Sequence, residues 1–161
     1  MPEQFAAQSP NDLPDLQTVL SMTGLEFIAG IRDGTIAGPP IATVMNTYIH
    51  EVEKGRVAFR GTPEFQHFNP MGGVHGGWYG TILDSAMACA VATILPKGSI
   101  YTTLEYKVNL TRALKPGALV ECIGIVQHSG RSTAVAQGTI IGVEDGKLYG
   151  TGSTTCIIMQ P

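Results

Sequence analysis

Apolar and polar residues follow two different periods along this chain, and the change falls just after residue 96. Before it the helical spacing rules. Thr23-Gly24-Leu25-Glu26 is a capping box, in which Thr23 and Glu26 satisfy each other's backbone N–H groups, and Leu25, Ile28 and Ile31 share one helical face. A short helix is predicted there, closed by Gly34. Residues 42–62 read as two strands around the turn Glu53-Lys54-Gly55, and a loop from Pro63 to Val74 carries Phe65, His67, Phe68, Asn69 and Pro70. A long helix is predicted from about Gly76 to Leu95, stopped by Pro96 and Gly98. It holds one charge, Asp84, among small residues (Gly80, Ser85, Ala86, Ala88, Ala90, Ala92) that let other backbone approach closely, as in a helix enclosed by a sheet.

After that helix the period is two. From Ile100 to Arg112 the even positions (Ile100, Leu104, Tyr106, Val108, Leu110) are mostly apolar, and the odd ones (Thr103, Glu105, Lys107, Asn109, Thr111) are polar, the pattern of a half-buried strand. Three further strands, at about 118–128, 132–144 and 147–159, are separated by Lys115-Pro116-Gly117, Ser129-Gly130-Arg131 and Asp145-Gly146. The last pair is a type I′ hairpin signal. Such short connections predict a four-strand antiparallel meander.

The expected fold is therefore α+β, an antiparallel β-sheet wrapped around one long central helix, with a short N-terminal helix ahead of it. A sheet of this kind covers the helix on one side only, so the other flank is expected to meet a second copy of the chain. Residues 1–41 form an N-terminal arm with the short helix, with Pro2, Pro10 and Pro14 among polar residues, and residues 42–161 form the domain proper.

Composition supports the second copy. Only 14% of the residues are charged, against roughly 25% in an ordinary domain, which is too few to coat a monomer of this size. A net charge of −3 gives no footing for nucleic acid or for a polybasic membrane anchor. Residues 76–95 are long enough to span a bilayer, but Asp84 near their middle would cost at least ~2.5 kcal/mol in lipid, and a core helix is expected instead. The start, Met1-Pro2-Glu3-Gln4, lacks the basic and apolar regions of a signal peptide. Cys89, Cys122 and Cys156 are odd in number with no Cys-x-x-Cys pair, which points to free thiols in a reducing, cytoplasmic compartment. The glycine-rich stretch at 72–77 lacks the Lys-Ser/Thr ending of a phosphate loop, and no cluster is spaced for a metal, so neither cofactor nor metal is expected.

The run Asn69-Pro70-Met71-Gly72-Gly73-Val74-His75-Gly76-Gly77, followed by Leu83-Asp84, resembles the active-site signature of the PaaI-like (phenylacetate-degradation) acyl-CoA thioesterases of the hotdog-fold superfamily. The resemblance continues through Asn109-Leu110-Thr111-Arg112-Ala113 and Gly130-Arg131-Ser132, and covers about residues 42–159. It implies hydrolysis of an acyl-CoA substrate by a homodimer, often paired into a tetramer. It also implies roles: Asp84 as general base or nucleophile, and the Gly76 backbone N–H as the group that polarises the thioester carbonyl, with His75 beside it. Asn69 would help hold the carbonyl or the attacking water, and Thr103 would stand near the carboxylate. Trp78 and Tyr79 are bulkier than usual for this group and, with Phe68, are expected partly in the core and partly lining the acyl pocket.

The chemistry supports the same residues independently. Thioester hydrolysis needs donors for the carbonyl oxygen and a base or nucleophile on the other side of the carbon. Free N–H groups of Gly76 and Gly77 at a helix N-terminus supply the first, and Asp84, its pKa raised by apolar surroundings, supplies the second. Yet Gly76 and Asp84 are about 12 Å apart along one helix at ~1.5 Å per residue, whereas groups acting on one carbon belong within about 3–3.5 Å of it. A composite site across a dimer interface resolves the mismatch.

Plainer readings stand beside these. Asp84 could be a structural group paired with Thr103, His75 could simply cap the helix, and His50, His67 and His128 read as surface or packing residues. Lys97, Lys107, Arg112, Lys115 and Arg131 are candidates for the phosphates of coenzyme A, with Arg131 best placed in a strand turn. Two other activities fit the resemblance, a non-catalytic acyl-CoA binding module and a hotdog hydratase. The hydratase needs an acid–histidine dyad, and His67 and Gly72 stand where its members should be.

Overall fold

A computed structural model describes residues 4–161; Met1–Glu3, the first residues of the expected arm including Pro2, lie outside the described residues. The predicted capping box forms as read. Thr23 Oγ1 accepts from the Glu26 N–H at 3.2 Å and Glu26 Oε2 accepts from the Thr23 N–H at 2.7 Å, opening helix α2 (Gly24–Arg32). Gly34 follows in the left-handed conformation, at φ +72°. A shorter helix, α1 (Leu16–Leu20), precedes α2 and is capped by Asp15.

The strand expected from residue 42 begins later. Pro39-Pro40 starts a short helix, α3 (Pro40–Val44), because a proline at the first helical position lacks only an N–H that would be unsatisfied there anyway. Asn46, at φ +50°, then turns the chain into β1 (Thr47–Glu53), which pairs through the Lys54-Gly55 turn with β2 (Arg56–Gly61). The long helix α4 runs from Gly76 to Ala92, and among the described residues no helix is long and apolar enough to cross a bilayer.

Four long strands follow: β3 (Ile100–Leu110), β4 (Val120–Ser129), β5 (Thr133–Gly142) and β6 (Leu148–Met159). Among the described residues they join β1 and β2 in one antiparallel sheet of order β1-β2-β4-β5-β6-β3. The expected four-strand meander is therefore only a three-strand one, β4-β5-β6. The Lys115-Pro116-Gly117 segment is no hairpin turn: the Gly117 N–H donates to Pro63 O at 2.8 Å, which delivers the chain beside β2 and leaves β3 at the far edge against β6. Nor is Asp145-Gly146 a type I′ turn, which needs two left-handed residues. Only Gly146 has a positive φ, and the Asp145 carboxylate instead holds a wider loop by accepting from the Lys147 N–H and the Tyr149 hydroxyl.

Helix α4 lies directly on the sheet's backbone. Gly124 of β4, Gly138 of β5 and Gly152 of β6 are register partners, forming a glycine row across three strands under the middle of the helix. A Cβ at Gly124 would stand 2.2 Å from Ala86 O, and one at Gly138 would stand 2.9 Å from Leu83 and Met87 side-chain atoms. Around this row Ile82, Leu83, Met87 and Val91 pack against Val57, Val120 and Ile140, all essentially inaccessible.

One flank of α4 escapes this cover: Gly77 is exposed, and Thr81, Asp84, Ser85 and Cys89 are only half-buried. Beside it runs the edge strand β3, which is more exposed than a half-buried strand should be, with Leu104, Tyr106 and Leu110 each about half accessible. A bulge between Thr103 and Glu105 switches the parity of β3. Before the bulge the odd residue Thr103 faces the helix; after it the even residues do, with Tyr106 next to Gly80 and Leu110 next to Gly76.

Candidate functional site

The loop before α4 is held by a buried histidine. His67 Nδ1 accepts from the Glu64 N–H at 2.9 Å, its Nε2 lies 2.7 Å from Val44 O, and its ring packs beside Trp78. The imidazole is therefore protonated on Nε2, which donates to that carbonyl. The His67 carbonyl in turn accepts from the His75 N–H at 2.8 Å. A packing role for His67 was readable in the sequence; its hold on the loop was not, because both partners come from tertiary structure.

Within the loop, Asn69 Oδ1 accepts from the backbone N–H groups of Met71 (2.9 Å) and Gly73 (3.2 Å), and Gly72 takes a left-handed φ of +81°. Its oxygen is thus committed to the turn, and the amide Nδ2 is left as the donor that a carbonyl or a water could use. His75 is the N-cap of α4, with Nδ1 accepting from the Gly77 N–H at 2.8 Å. This corrects the expectation of two free amides. The Gly77 N–H is taken, and the donor left at the helix start is the Gly76 N–H, for which no acceptor stands among the described residues.

Two turns on, Asp84 sits half-buried, and its Oδ1 accepts from the Thr103 hydroxyl at 3.0 Å. Burial raises its pKa above the ordinary carboxylate value, while the Thr103 hydrogen bond pulls it back down. The bulge in β3 is what aims Thr103, from the nominally polar face of its strand, at Asp84. Burial pushes the Cys89 thiol up to about 12 and raises Cys156 and Tyr101 as well, so none of these neighbours supplies an anionic nucleophile near neutral pH. Replacing Thr103 by valine removes the bond that lowers the Asp84 pKa. The acid limb of any activity that needs the carboxylate should therefore move to higher pH, which a kcat/KM profile against pH would register. An unmoved limb would leave Thr103 no part in tuning Asp84.

The remaining expected site residues stand elsewhere. Trp78 is 1% exposed, and its Nε1 donates to Met45 O at 2.8 Å, so it is a core residue that ties α4 to the turn between α3 and β1. Phe68 lies in the loop in a T-shaped pair with Phe65, and Arg131 is exposed in the β4–β5 turn. Neither Trp78 nor Phe68 lines the large cavity of about 880 Å³ onto which Asp84 opens.

Comparison with known proteins agrees with this architecture. The model of the thioesterase superfamily matches residues 71–149, which hold α4, Asp84 and four of the six strands in whole or in part. A Caenorhabditis elegans protein named for an esterase is 30% identical over 111 residues, and the match spans 68% of this chain and 64% of that relative's own length. A solved Ralstonia eutropha protein, a thioesterase type related to phenylacetic acid degradation, is 26% identical at a TM-score of 0.74 and covers 81% of this chain and 98% of its own. A hypothetical thioesterase of Streptococcus pneumoniae, solved with coenzyme A, shares the fold at a TM-score of 0.65 and 24% identity, covering 71% of this chain and 87% of its own. With the fold, the helix-start loop and these matches in agreement, the chain has the hotdog fold, matches the thioesterase superfamily over residues 71–149, and is similar to solved thioesterases of the phenylacetic acid degradation type.

Proposed function

We propose that the protein hydrolyses acyl-CoA thioesters at sites shared by two copies of the chain. The observation that carries this reading is one helix with a donor and a base at separated points: an unclaimed Gly76 N–H at its start and a half-buried, Thr103-bonded Asp84 two turns on. Either Asp84 of one copy takes a proton from water, which attacks the thioester carbonyl carbon, and passes that proton to the leaving sulfur, or the carboxylate attacks the carbon itself to give an anhydride that water then hydrolyses to the free acid, with a proton from water going to the sulfur. The Gly76 N–H of the other copy receives the negative charge that develops on the oxygen. Collapse of that intermediate breaks the C–S bond and releases coenzyme A as its thiol. His75 and Asn69 keep the helix start and its loop in place for this, with Asn69 Nδ2 as a further donor.

Pairing of two copies is supported by β3, an edge strand whose Tyr106 and Leu110 extend the open flank of α4 and are half exposed. The coenzyme A solved with the Streptococcus pneumoniae protein supports the thioester class. The hydratase reading loses ground, because both ring nitrogens of His67 are engaged by backbone.

Subunit mixing tests the shared site. Asp84→Asn removes the carboxylate. Gly76→Pro removes the N–H at a first helical position, where proline is tolerated and where the preceding residue, His75, already has the extended backbone that proline demands. Each variant alone should be inactive. Co-refolded or exchanged subunits should recover about a quarter of wild-type turnover, since half of the dimers are mixed and each has one intact site of two. Heterodimers that form and remain inactive would return the chemistry to a single chain.

A further inference from the structure

We infer that the segment ahead of β1 is the acyl-recognition element of the protein, and that with α4 and the neighbouring strands it walls a half-open chamber for an uncharged apolar acyl group much larger than acetyl. The inference rests on the acyl-CoA reading above. The cavity of about 880 Å³ is lined by Asp84, Ser85 and Ala88 of α4 and by apolar side chains of the arm, among them Phe5, Leu13 and Ile41. Its volume lies near the top of the roughly 300–1,000 Å³ range of sites that enclose a whole small ligand. Asp84 is the one ionisable carboxylate or cationic side chain on its walls among the described residues, so the chamber offers nothing to pair with a second charge on the acyl group.

Two observations separate this wall from a merely frayed terminus. Phe5, Leu13 and Ile41 come from three different pieces of the arm, are 49%, 43% and 47% exposed, and all face this same space. The arm is also clasped in place. The Gln4 side chain pairs with both backbone groups of Ile49 on the open edge of β1, donating to its carbonyl and accepting from its N–H at 3.1 Å. Farther along, Ala7 N–H donates to Gly38 O at 2.9 Å and Gly38 N–H donates to Phe5 O at 2.8 Å. The wall stands entirely before residue 71, where the superfamily match begins. The arm's share of the selectivity among acyl groups thereby comes from a part of the chain outside the loop and helix that carry the chemistry, although that helix forms the facing wall.

Leu13→Asp and Ile41→Asp test this, each placing a carboxylate on the wall from an already exposed position. The wild-type protein is assayed with acetyl-, hexanoyl-, dodecanoyl- and phenylacetyl-CoA, and binding of the same four esters is measured by calorimetry on Asp84→Asn protein. Affinity and kcat/KM should both rise from acetyl to the larger esters. Each aspartate variant should cut the dodecanoyl-to-acetyl ratio by at least about tenfold, the scale on which a pocket discriminates apolar groups. Affinity that is flat along the series, or a ratio unmoved in both variants, would overturn the chamber. So would variants that shift the oligomeric mass and leave the ratio alone, since the wall would then be covered by a partner subunit. Size-dependent binding without hydrolysis of any ester would uphold the chamber and overturn the hydrolase reading.

Discussion

Replacing Asp84 by asparagine is expected to lower turnover by a factor on the order of 10³, as loss of a general base does, while acyl-CoA affinity is kept and the protein becomes more resistant to heat. The two effects share one cause. Asparagine has the same shape and can still accept the Thr103 hydroxyl, so the local packing survives. What it lacks is a negative charge that burial disfavours. Because the folded-state pKa of Asp84 is raised, between the ordinary value and the raised one the folded protein holds a proton that the unfolded chain has already released. Stability therefore falls as pH rises through that window, and above it the ionised carboxylate is a standing cost of the native state. The Tm gain of Asp84→Asn should be full at neutral pH and should vanish at pH values below the ordinary 3.8, where aspartate is neutral in both states. A variant that kept its turnover would remove Asp84 from the chemistry. One that lost turnover and Tm together would make Asp84 a structural partner of Thr103.

Much of the architecture was legible because it is specified locally. The capping box at Thr23, the stop at Gly34, the Lys54-Gly55 turn and the extent of α4 each depend on residues within a few positions of one another, and each appears within a few residues of where the pattern put it. Strand order was not legible, because it turns on remote pairing, the β2–β4 ladder with the Gly117 to Pro63 bond beside it, that no periodicity records. The β3 bulge is a similar case. A strict alternation places Thr103 on the outer face, and only the extra residue at Leu104 lets both Thr103 and Tyr106 turn toward α4.

The candidate site shows the same division. Asp84 was legible as a lone charge in an apolar helix, and the structure sets it against Thr103 and a large cavity. The state of the two glycine amides was not legible, since it depends on whether the His75 ring folds back on Gly77, which it does. Trp78 was expected at least partly in the pocket because it neighbours the signature, but a helical position three residues past the N-cap turns it inward to Met45. One signal was available and unread. Gly124, Gly138 and Gly152 recur at equal spacing in three successive strands, which is what a flat seat for a helix looks like in sequence.

That seat gives a large expected loss of stability from a single methyl group. In Gly124→Ala the new Cβ would lie 2.2 Å from Ala86 O, 2.4 Å from Ala86 C and 2.6 Å from Met87 N. These are backbone atoms in the middle of a helix, so no side chain can swing aside, and α4 must lift from β4. Overpacking of a well-filled core costs typically 1–3 kcal/mol where neighbours can adjust. With backbone on both sides the cost should reach at least about 3 kcal/mol, a large share of the ~5–15 kcal/mol that holds an ordinary domain folded. For a chain of this length that is a fall in Tm of roughly 6–12 °C. Gly130→Ala is the matched control: its Cβ would meet nothing nearer than 3.5 Å, and its Tm should stay close to wild type. Activity should suffer in Gly124→Ala even in the fraction that folds, because Asp84 lies two residues from the lifted point and its register with Thr103 depends on how deeply the helix sits. Equal melting temperatures for the two alanine variants would mean that α4 does not rest on the sheet's backbone, and the depth at which Asp84 is held would need another explanation.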